Sequence, residues 1–165
     1  RFYMWDKINK QSEELLKTCK LNKMSVTTAE SCTGGMVASS IISINGSSSI
    51  FKSGIVTYSN ESKAEFLKIP LELININGAV SEIIAFQMAK NVLSIMNSTV
   101  SIAVTGIAGP SGGSNEKPVG LVWIAIGTKE NVLTKKYLFQ GNRLKIRQQT
   151  TLEALKLANG MINDY

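Results

Sequence analysis

Residues 24–44, MSVTTAESCTGGMVASSIISI, contain a strand-like run, a polar turn and an apolar helical pattern in immediate succession. The β-branched residues predict a short strand over 24–29, and Gly34-Gly35 mark a turn. Apolar residues then recur at helical spacing, which predicts a helix over Thr33 to Ile44 that ends at Asn45-Gly46. A strand that passes straight into a helix is typical of an α/β fold.

The rest of the chain continues this alternation. Helical patterns cover 6–21, 61–68, 81–96 and the chain from 142 onward, and strand patterns cover 51–58, 100–105, 121–126 and 131–139. Strands alternating with helices, followed by two neighbouring strands, predict a three-layer α/β/α sandwich with a mostly parallel sheet. No internal repeat or linker interrupts 1–165, so we expect a single domain.

Composition excludes several classes of protein. The chain has 165 residues, 44% of them hydrophobic and 18% charged, which is typical of a globular protein and excludes global disorder. No apolar run reaches the roughly 20 residues of a membrane span, and the first ten residues lack the features of a signal peptide. Two cysteines and no histidine form neither a disulfide framework nor a zinc-like ligand set, so we expect a cytoplasmic protein without a metal.

The net charge of +6 is compatible with an anionic ligand. The lysines and arginines are dispersed along the chain. The densest group is Lys135, Lys136, Arg143, Lys145 and Arg147, and no aromatic stacking platform is expected to interleave with it. Nucleic acid is therefore not the expected main partner.

Polar side chains follow three of the predicted strands. Ser31-Cys32-Thr33 follows the first, Tyr58 and Lys63 the second, and Thr105 ends the third. Ligands of such sheets bind beyond the carboxyl ends of the strands, at the point where strand order reverses. These residues and the long glycine-rich loop at 106–120 are the candidates for a functional site.

A serine nucleophile in a chain without histidine needs lysine, a carboxylate or tyrosine as its base. A lysine serves near neutral pH only if its pKa falls by about 3 units, and burial acts in that direction. Tyr58 is a candidate to relay the proton or to orient Lys63. Free N–H groups at the predicted helix start, exposed by Gly34 and Gly35, are candidates to stabilise an oxyanion or to bind a phosphate.

Each of these residues also has an ordinary structural interpretation. Ser31 and Thr33 are good N-caps, Cys32 resembles a small buried hydrophobic residue, and a lysine such as Lys63 is usually a solvated helix residue. Thr105 suits any strand, and the two glycines suit close packing of a helix on a sheet. Glu30 is a candidate base and equally a group that orients the backbone. From the residues alone these alternatives stay open.

Five ordered motifs resemble the CinA C-terminal domain family, the nicotinamide-nucleotide amidases. They are AESCTGG (29–35), FKSGIVTYSNESK (51–63), GAVS (78–81), TGIAGPSGG with KPVGLVWIA (105–125) and GNRLKIR (141–147). The similarity runs from about residue 15 to 157. Ser53 stands where many members have a second glycine, which is a small-for-small change.

The resemblance implies a five-stranded mixed sheet in the order 2-1-3-4-5 with strand 4 antiparallel. It also implies hydrolysis of the carboxamide of nicotinamide mononucleotide to nicotinate mononucleotide and ammonia. The implied catalytic residues are Ser31 as nucleophile and Lys63 as base, with Tyr58 close by. The implied substrate-binding residues are Cys32, Thr33, Gly34, Gly35, Thr105, Gly106 and Arg143. Arg143, together with Arg147, would face the substrate phosphate, and the loop at 106–113 would cover the nucleotide.

Further expectations follow from the same resemblance. No cofactor is required, and a homo-oligomer, either a dimer or a tetramer, is expected. Full-length CinA proteins have an additional N-terminal domain, so a stand-alone amidase is expected here. The alternative function is a catalytically silent nucleotide-binding or regulatory domain of the same fold.

Overall fold

The computed structural model describes residues 3–163 and contains a five-stranded sheet. Its strands are β1 (Val26–Glu30), β2 (Phe51–Val56), β3 (Val100–Gly106), β4 (Leu121–Gly127) and β5 (Val132–Leu138). They follow the order β2-β1-β3-β4-β5. β1 is parallel to β2 and β3, whereas β4 is antiparallel to β3 and β5. The predicted strand order and the antiparallel fourth strand are confirmed.

Helices cover both faces of the sheet. They are α1 (Met4–Leu21), α2 (Met36–Ile42), α3 (Asn60–Leu67), α4 (Leu71–Asn77), α5 (Glu82–Ile95) and α6 (Arg143–Asn163), with a short 3₁₀ helix at Ser47–Ser49. Helices α1, α2 and α6 pack in one hydrophobic cluster, and α3, α4 and α5 pack in the other. Within residues 3–163, no helix has the length and apolar character needed to cross a membrane.

Small residues on three neighbouring strands let α5 approach the sheet closely. Ala29, Ala103 and Ala125 are register partners across β1, β3 and β4. They are completely buried in the same cluster as Ala85 and Ala89 of α5. Methyl groups on both sides leave little space between helix and sheet, which gives the close packing typical of protein interiors.

The structure corrects two details of the predicted helices. The second helix begins at Met36 rather than at Thr33, because Gly34 and Gly35 have φ angles of +59° and +95° and cannot belong to a right-handed helix. Helix α4 was not predicted, since its seven residues, LELININ, are too few to show a clear helical period.

The carboxyl ends of β1, β2 and β3 lie at one edge of the sheet and are tied together by backbone hydrogen bonds. The N–H of Ser31 donates to the carbonyl of Val104 at 3.1 Å, and the N–H of Thr57 donates to the carbonyl of Glu30 at 2.9 Å. The chain segments that follow β1 and β2 are therefore held next to each other.

Candidate active site

Ser31 and Lys63 meet beyond this edge of the sheet. The Nζ atom of Lys63 lies 3.2 Å from the Oγ atom of Ser31 and donates a 2.8 Å hydrogen bond to the carbonyl oxygen of Thr57. Lys63 is 1% exposed and Ser31 is 8% exposed. The amine and the hydroxyl are within the reach that a base and its nucleophile require.

Local sequence explains how Lys63 reaches this position. Ser59 caps α3 by accepting a hydrogen bond from the N–H of Ser62, and the Ser62 hydroxyl accepts one from the N–H of Ser59. This reciprocal capping fixes the start of α3 directly after β2. Lys63 lies in the first turn of α3, and its side chain extends back to the carbonyl of Thr57, six residues earlier.

The lysine amine is held in an environment that favours its uncharged form. Burial lowers the pKa of Lys63 to about 8, and the neighbouring Cys32 opposes this only weakly. Among residues 3–163, no carboxylate forms an ion pair with the Lys63 amine, so none stabilises its charged form. A substantial fraction of Lys63 is therefore neutral in the physiological range and can accept a proton from Ser31.

Cys32 is a poor nucleophile in this environment. The residue is 4% exposed and belongs to the hydrophobic cluster beneath α1, α2 and α6. Burial raises the pKa of its thiol to about 12, so the reactive thiolate is scarce at neutral pH. The hydroxyl of Ser31 is the better candidate.

A cavity of about 180 Å³ opens over this pair. The predicted site residues that line it are Ser31, Cys32, Tyr58, Lys63, Thr105, Gly106 and Arg143. Three further residues line it: Ala108, from the 106–113 loop that was expected to cover the nucleotide, and Ala79 and Val80, which were not predicted. The GAVS motif contained the latter two, but small apolar residues carry no chemical signal that would mark them as part of a site.

Thr105 and Gly106 shape the cavity. The Thr105 hydroxyl donates to the carbonyl of Ala79 at 2.8 Å and so fixes the segment before α5 against β3. A Cβ atom on Gly106 would lie 2.6 Å from a methyl group of Val122 and 3.0 Å from the carbonyl oxygen of Leu121. Glycine is required there because β4 passes too close for any side chain.

Arg143 connects two segments beside the cavity. Its Nη2 atom donates to the hydroxyl of Tyr58 at 3.0 Å, and its Nη1 atom donates to the carbonyl of Gly109 at 2.8 Å. Tyr58 is 65% exposed. Its hydroxyl is engaged with Arg143, whereas the amine of Lys63 is engaged with Ser31 and Thr57.

The Glu30 carboxylate occupies the start of α2. It accepts hydrogen bonds from the N–H groups of Val37 at 2.8 Å and Ala38 at 3.0 Å, and it is completely buried. The expectation that the helix start offers free N–H groups is therefore wrong for these two donors. Gly35, not Ser31 or Thr33, is the N-cap of α2.

The turn after β1 retains two N–H groups without an oxygen acceptor. Within residues 3–163, the backbone nitrogens of Cys32 and Thr33 donate to no carbonyl or side-chain oxygen, whereas that of Gly34 donates to the carbonyl of Ser31 at 3.0 Å. Cys32 lines the cavity, but Thr33 is completely buried and does not. The N–H of Cys32, which contacts the thiol of its own side chain, is thus the stronger candidate to face a substrate oxygen.

Gly34 and Gly35 lie on the side of the turn that faces away from the Ser31 cavity. They line a separate hollow of about 500 Å³ together with Trp5, Met36 and Arg147. Thr33, Gly34 and Gly35, all expected at the substrate, do not line the cavity that contains Ser31 and Lys63.

Arg147 is also placed away from the Ser31 cavity. Its Nε atom donates to the carbonyl of Cys32 at 3.0 Å, and its Nη2 atom donates to the carbonyl of Thr33 at 2.8 Å. The family resemblance implies that Arg147 accompanies Arg143 at a phosphate, but the structure places the Arg147 side chain against the backbone of the turn.

Comparison with known proteins identifies close relatives of this chain. The family model described as the CinA C-terminal domain matches residues 8–162. A CinA-like protein of Colwellia psychrerythraea is 45% identical over 143 residues, which cover 87% of this chain and 33% of the relative. A CinA-like protein of Fervidobacterium nodosum is 46% identical over 136 residues, covering 82% of this chain and 33% of the relative. The chain thus spans about a third of the length of the curated relatives it matches.

Solved structures share the fold throughout. The crystal structure of a competence/damage inducible protein from Agrobacterium tumefaciens superposes with a TM-score of 0.92 at 38% identity. The match covers 95% of this chain and 96% of that one.

Proposed function

The chain belongs to the CinA C-terminal domain family, and from its candidate active site we propose that it hydrolyses the carboxamide of nicotinamide mononucleotide, releasing nicotinate mononucleotide and ammonia. The observation that carries the proposal is the 3.2 Å approach of the buried Lys63 amine to the hydroxyl of Ser31. Such a pair activates a serine for acyl transfer in a chain that has no histidine.

The reaction begins with transfer of the Ser31 hydroxyl proton to the neutral amine of Lys63. The Oγ atom attacks the carboxamide carbon, and the N–H of Cys32 stabilises the negative oxygen that forms. The C–N bond then breaks, Lys63 returns the proton to the leaving nitrogen, and ammonia departs. Water, deprotonated by Lys63, hydrolyses the nicotinoyl ester and regenerates Ser31.

The size of the cavity indicates how the substrate is bound. A volume of about 180 Å³ is below the roughly 300–1,000 Å³ of sites that enclose a drug-sized ligand. The cavity therefore takes the pyridine carboxamide, while the ribose and phosphate extend outside it towards Arg143. A guanidinium is well suited to a phosphate, and binding would require Arg143 to give up one of its present partners, Tyr58 or Gly109.

Ammonia release from nicotinamide mononucleotide, measured for the wild type and three variants, tests the proposal. Ser31→Ala and Lys63→Met should each abolish turnover while retaining the wild-type circular dichroism spectrum. Ser94→Ala is the matched control, because Ser94 is an exposed serine on α5, and it should keep full activity. Full activity in both site variants would refute the assignment of the nucleophile and the base.

The catalytically silent alternative gives a different result. A nucleotide-binding domain without chemistry would bind nicotinamide mononucleotide tightly and release no ammonia between about pH 6 and 9. That combination would replace the amidase proposal.

A further inference from the structure

We propose that Arg147 is a positioning residue for catalysis, which anchors the turn after β1 so that the N–H of Cys32 faces the oxyanion formed at Ser31. The inference rests on the proposed role of Ser31 as nucleophile. In this proposal Arg147 helps to stabilise the transition state and does not bind the substrate phosphate.

The contacts of Arg147 are directed at the backbone of the turn. Its Nε and Nη2 atoms bind the successive carbonyls of Cys32 and Thr33 at 3.0 and 2.8 Å. The carbonyl of Ser31, immediately before them, accepts from the N–H of Gly34 at 3.0 Å. Three consecutive carbonyls are thus fixed, and the guanidinium holds two of them.

Fixing the carbonyls also fixes the direction of the N–H groups. A trans peptide is planar, and its C=O and N–H point in opposite directions. The bond from the Gly34 N–H orients the peptide that contains the Cys32 N–H. Arg147 orients the next two peptides, and the second of these carries the Gly34 N–H, so Arg147 acts on the Cys32 N–H through Gly34. The Thr33 carbonyl also accepts from the N–H of Met36 at 3.2 Å. Arg147 therefore reinforces a turn in which Gly34 and Gly35 occupy the left-handed region, where glycine is flexible.

Arg147 also carries a permanent positive charge, which lies against the backbone of this turn and outside the Ser31 cavity. Among residues 3–163, no carboxylate forms an ion pair with the Arg147 guanidinium. Burial is the main influence on the pKa of the Cys32 thiol and raises it. The Glu30 carboxylate raises this pKa further, and the Arg147 guanidinium opposes both with a smaller effect. A preorganised charge and a fixed N–H dipole both stabilise an oxyanion.

Variants of Arg147 and Arg143 separate the two proposed roles. Arg147→Met removes the charge and both hydrogen bonds, and we expect kcat for nicotinamide mononucleotide to fall about 10²-fold with little change in KM, as for loss of one oxyanion donor. Arg147→Lys keeps the charge but cannot bind both carbonyls. Its kcat should lie between that of Arg147→Met and that of the wild type. Arg143→Met, one turn earlier on α6, should instead raise KM.

The pH profile distinguishes positioning from a general loss of structure. Arg147 is not among the groups that shift the pKa of Lys63, so the midpoint of the rate profile should stay near pH 8 in both Arg147 variants. A midpoint displaced by one pH unit or more would show that Arg147 acts through the base or that the site has collapsed, and would overturn the proposal.

A second substrate keeps this test independent of the nucleotide. The rate at which 4-nitrophenyl acetate acylates Ser31, followed by nitrophenolate release and intact mass, requires the nucleophile, its base and the oxyanion donors, but no group that binds the nucleotide. If the wild type acylates Ser31 but ignores nicotinamide mononucleotide, a slower Arg147→Lys variant still supports the positioning role while the proposed substrate fails. Unchanged acylation in folded Arg147→Lys and Arg147→Met, or no acylation of wild-type Ser31, overturns the inference.

Discussion

The free energy of unfolding of Lys63→Met, taken relative to that of the wild type, should be higher at neutral pH than at alkaline pH. Burial lowers the pKa of Lys63 from 10.5 to about 8. Between these two values the unfolded chain binds more protons than the folded one, so the stability of the wild type rises with pH in that window. The cost of the buried amine is fully present below about pH 8 and disappears above about pH 10.5.

The size of the effect follows from the two pKa values. Proton linkage between folding and Lys63 lowers the free energy of unfolding of the wild type by about 3 kcal/mol at pH 7. The reduction is about 2 kcal/mol at pH 9 and less than about 1 kcal/mol at pH 10. The variant avoids this reduction but leaves the carbonyl of Thr57 without its donor, which removes about 1–3 kcal/mol at every pH. The stability of Lys63→Met relative to the wild type should therefore fall by about 2.5 kcal/mol between pH 7 and pH 10.

Urea denaturation of both proteins at pH 7, 8, 9 and 10 measures this difference directly. Lys90→Met is the matched control, since Lys90 is an exposed lysine on α5, and its stability relative to the wild type should not vary with pH. A Lys63→Met difference that is equally flat would show that the folded protein does not favour the neutral amine, and would refute the reasoning.

Three further predictions concern the same site. The kcat/KM of the wild type should rise with pH and level off above a midpoint near pH 8, because only the neutral amine of Lys63 takes a proton; an activity that is flat from pH 6 to 9 would contradict it. Cys32→Ala should retain amidase activity, since the pKa of this buried thiol is raised to about 12, and loss of turnover in a folded variant would point to thiol chemistry. Glu30→Gln should lower the free energy of unfolding by about 2 kcal/mol in urea, because an amide nitrogen cannot accept from the N–H of Val37 or Ala38; an unchanged midpoint would argue against the capping role.

The fold was largely predictable because every strand and every helix except α4 has a clear local signal. The alternation of β-branched runs with helical periods predicts the sandwich, and the family motifs supply the strand order. The limits lie where the backbone departs from a regular helix. The positive φ angles of Gly34 and Gly35 make α2 begin at Met36. Residue propensities do not predict these φ angles.

The site itself was predictable only through the family resemblance. Ser31 and Lys63 are 32 residues apart, and a lysine in the first turn of a polar helix normally lies in solvent. The roles of Glu30 and Arg147 depend on where the turn places its N–H and C=O groups. Such details follow from the three-dimensional backbone and have no pattern in the residue types.

The protonation state of Lys63 in the folded protein is the most direct test of the chemistry. Protein labelled with carbon-13 at the lysine Cε atoms can be titrated by NMR, with the Lys63 signal assigned from its absence in Lys63→Met. The signal should titrate with a midpoint near pH 8, as the buried amine next to Ser31 requires. A Lys63 signal that remains that of a charged amine beyond pH 10 would contradict its role as the base.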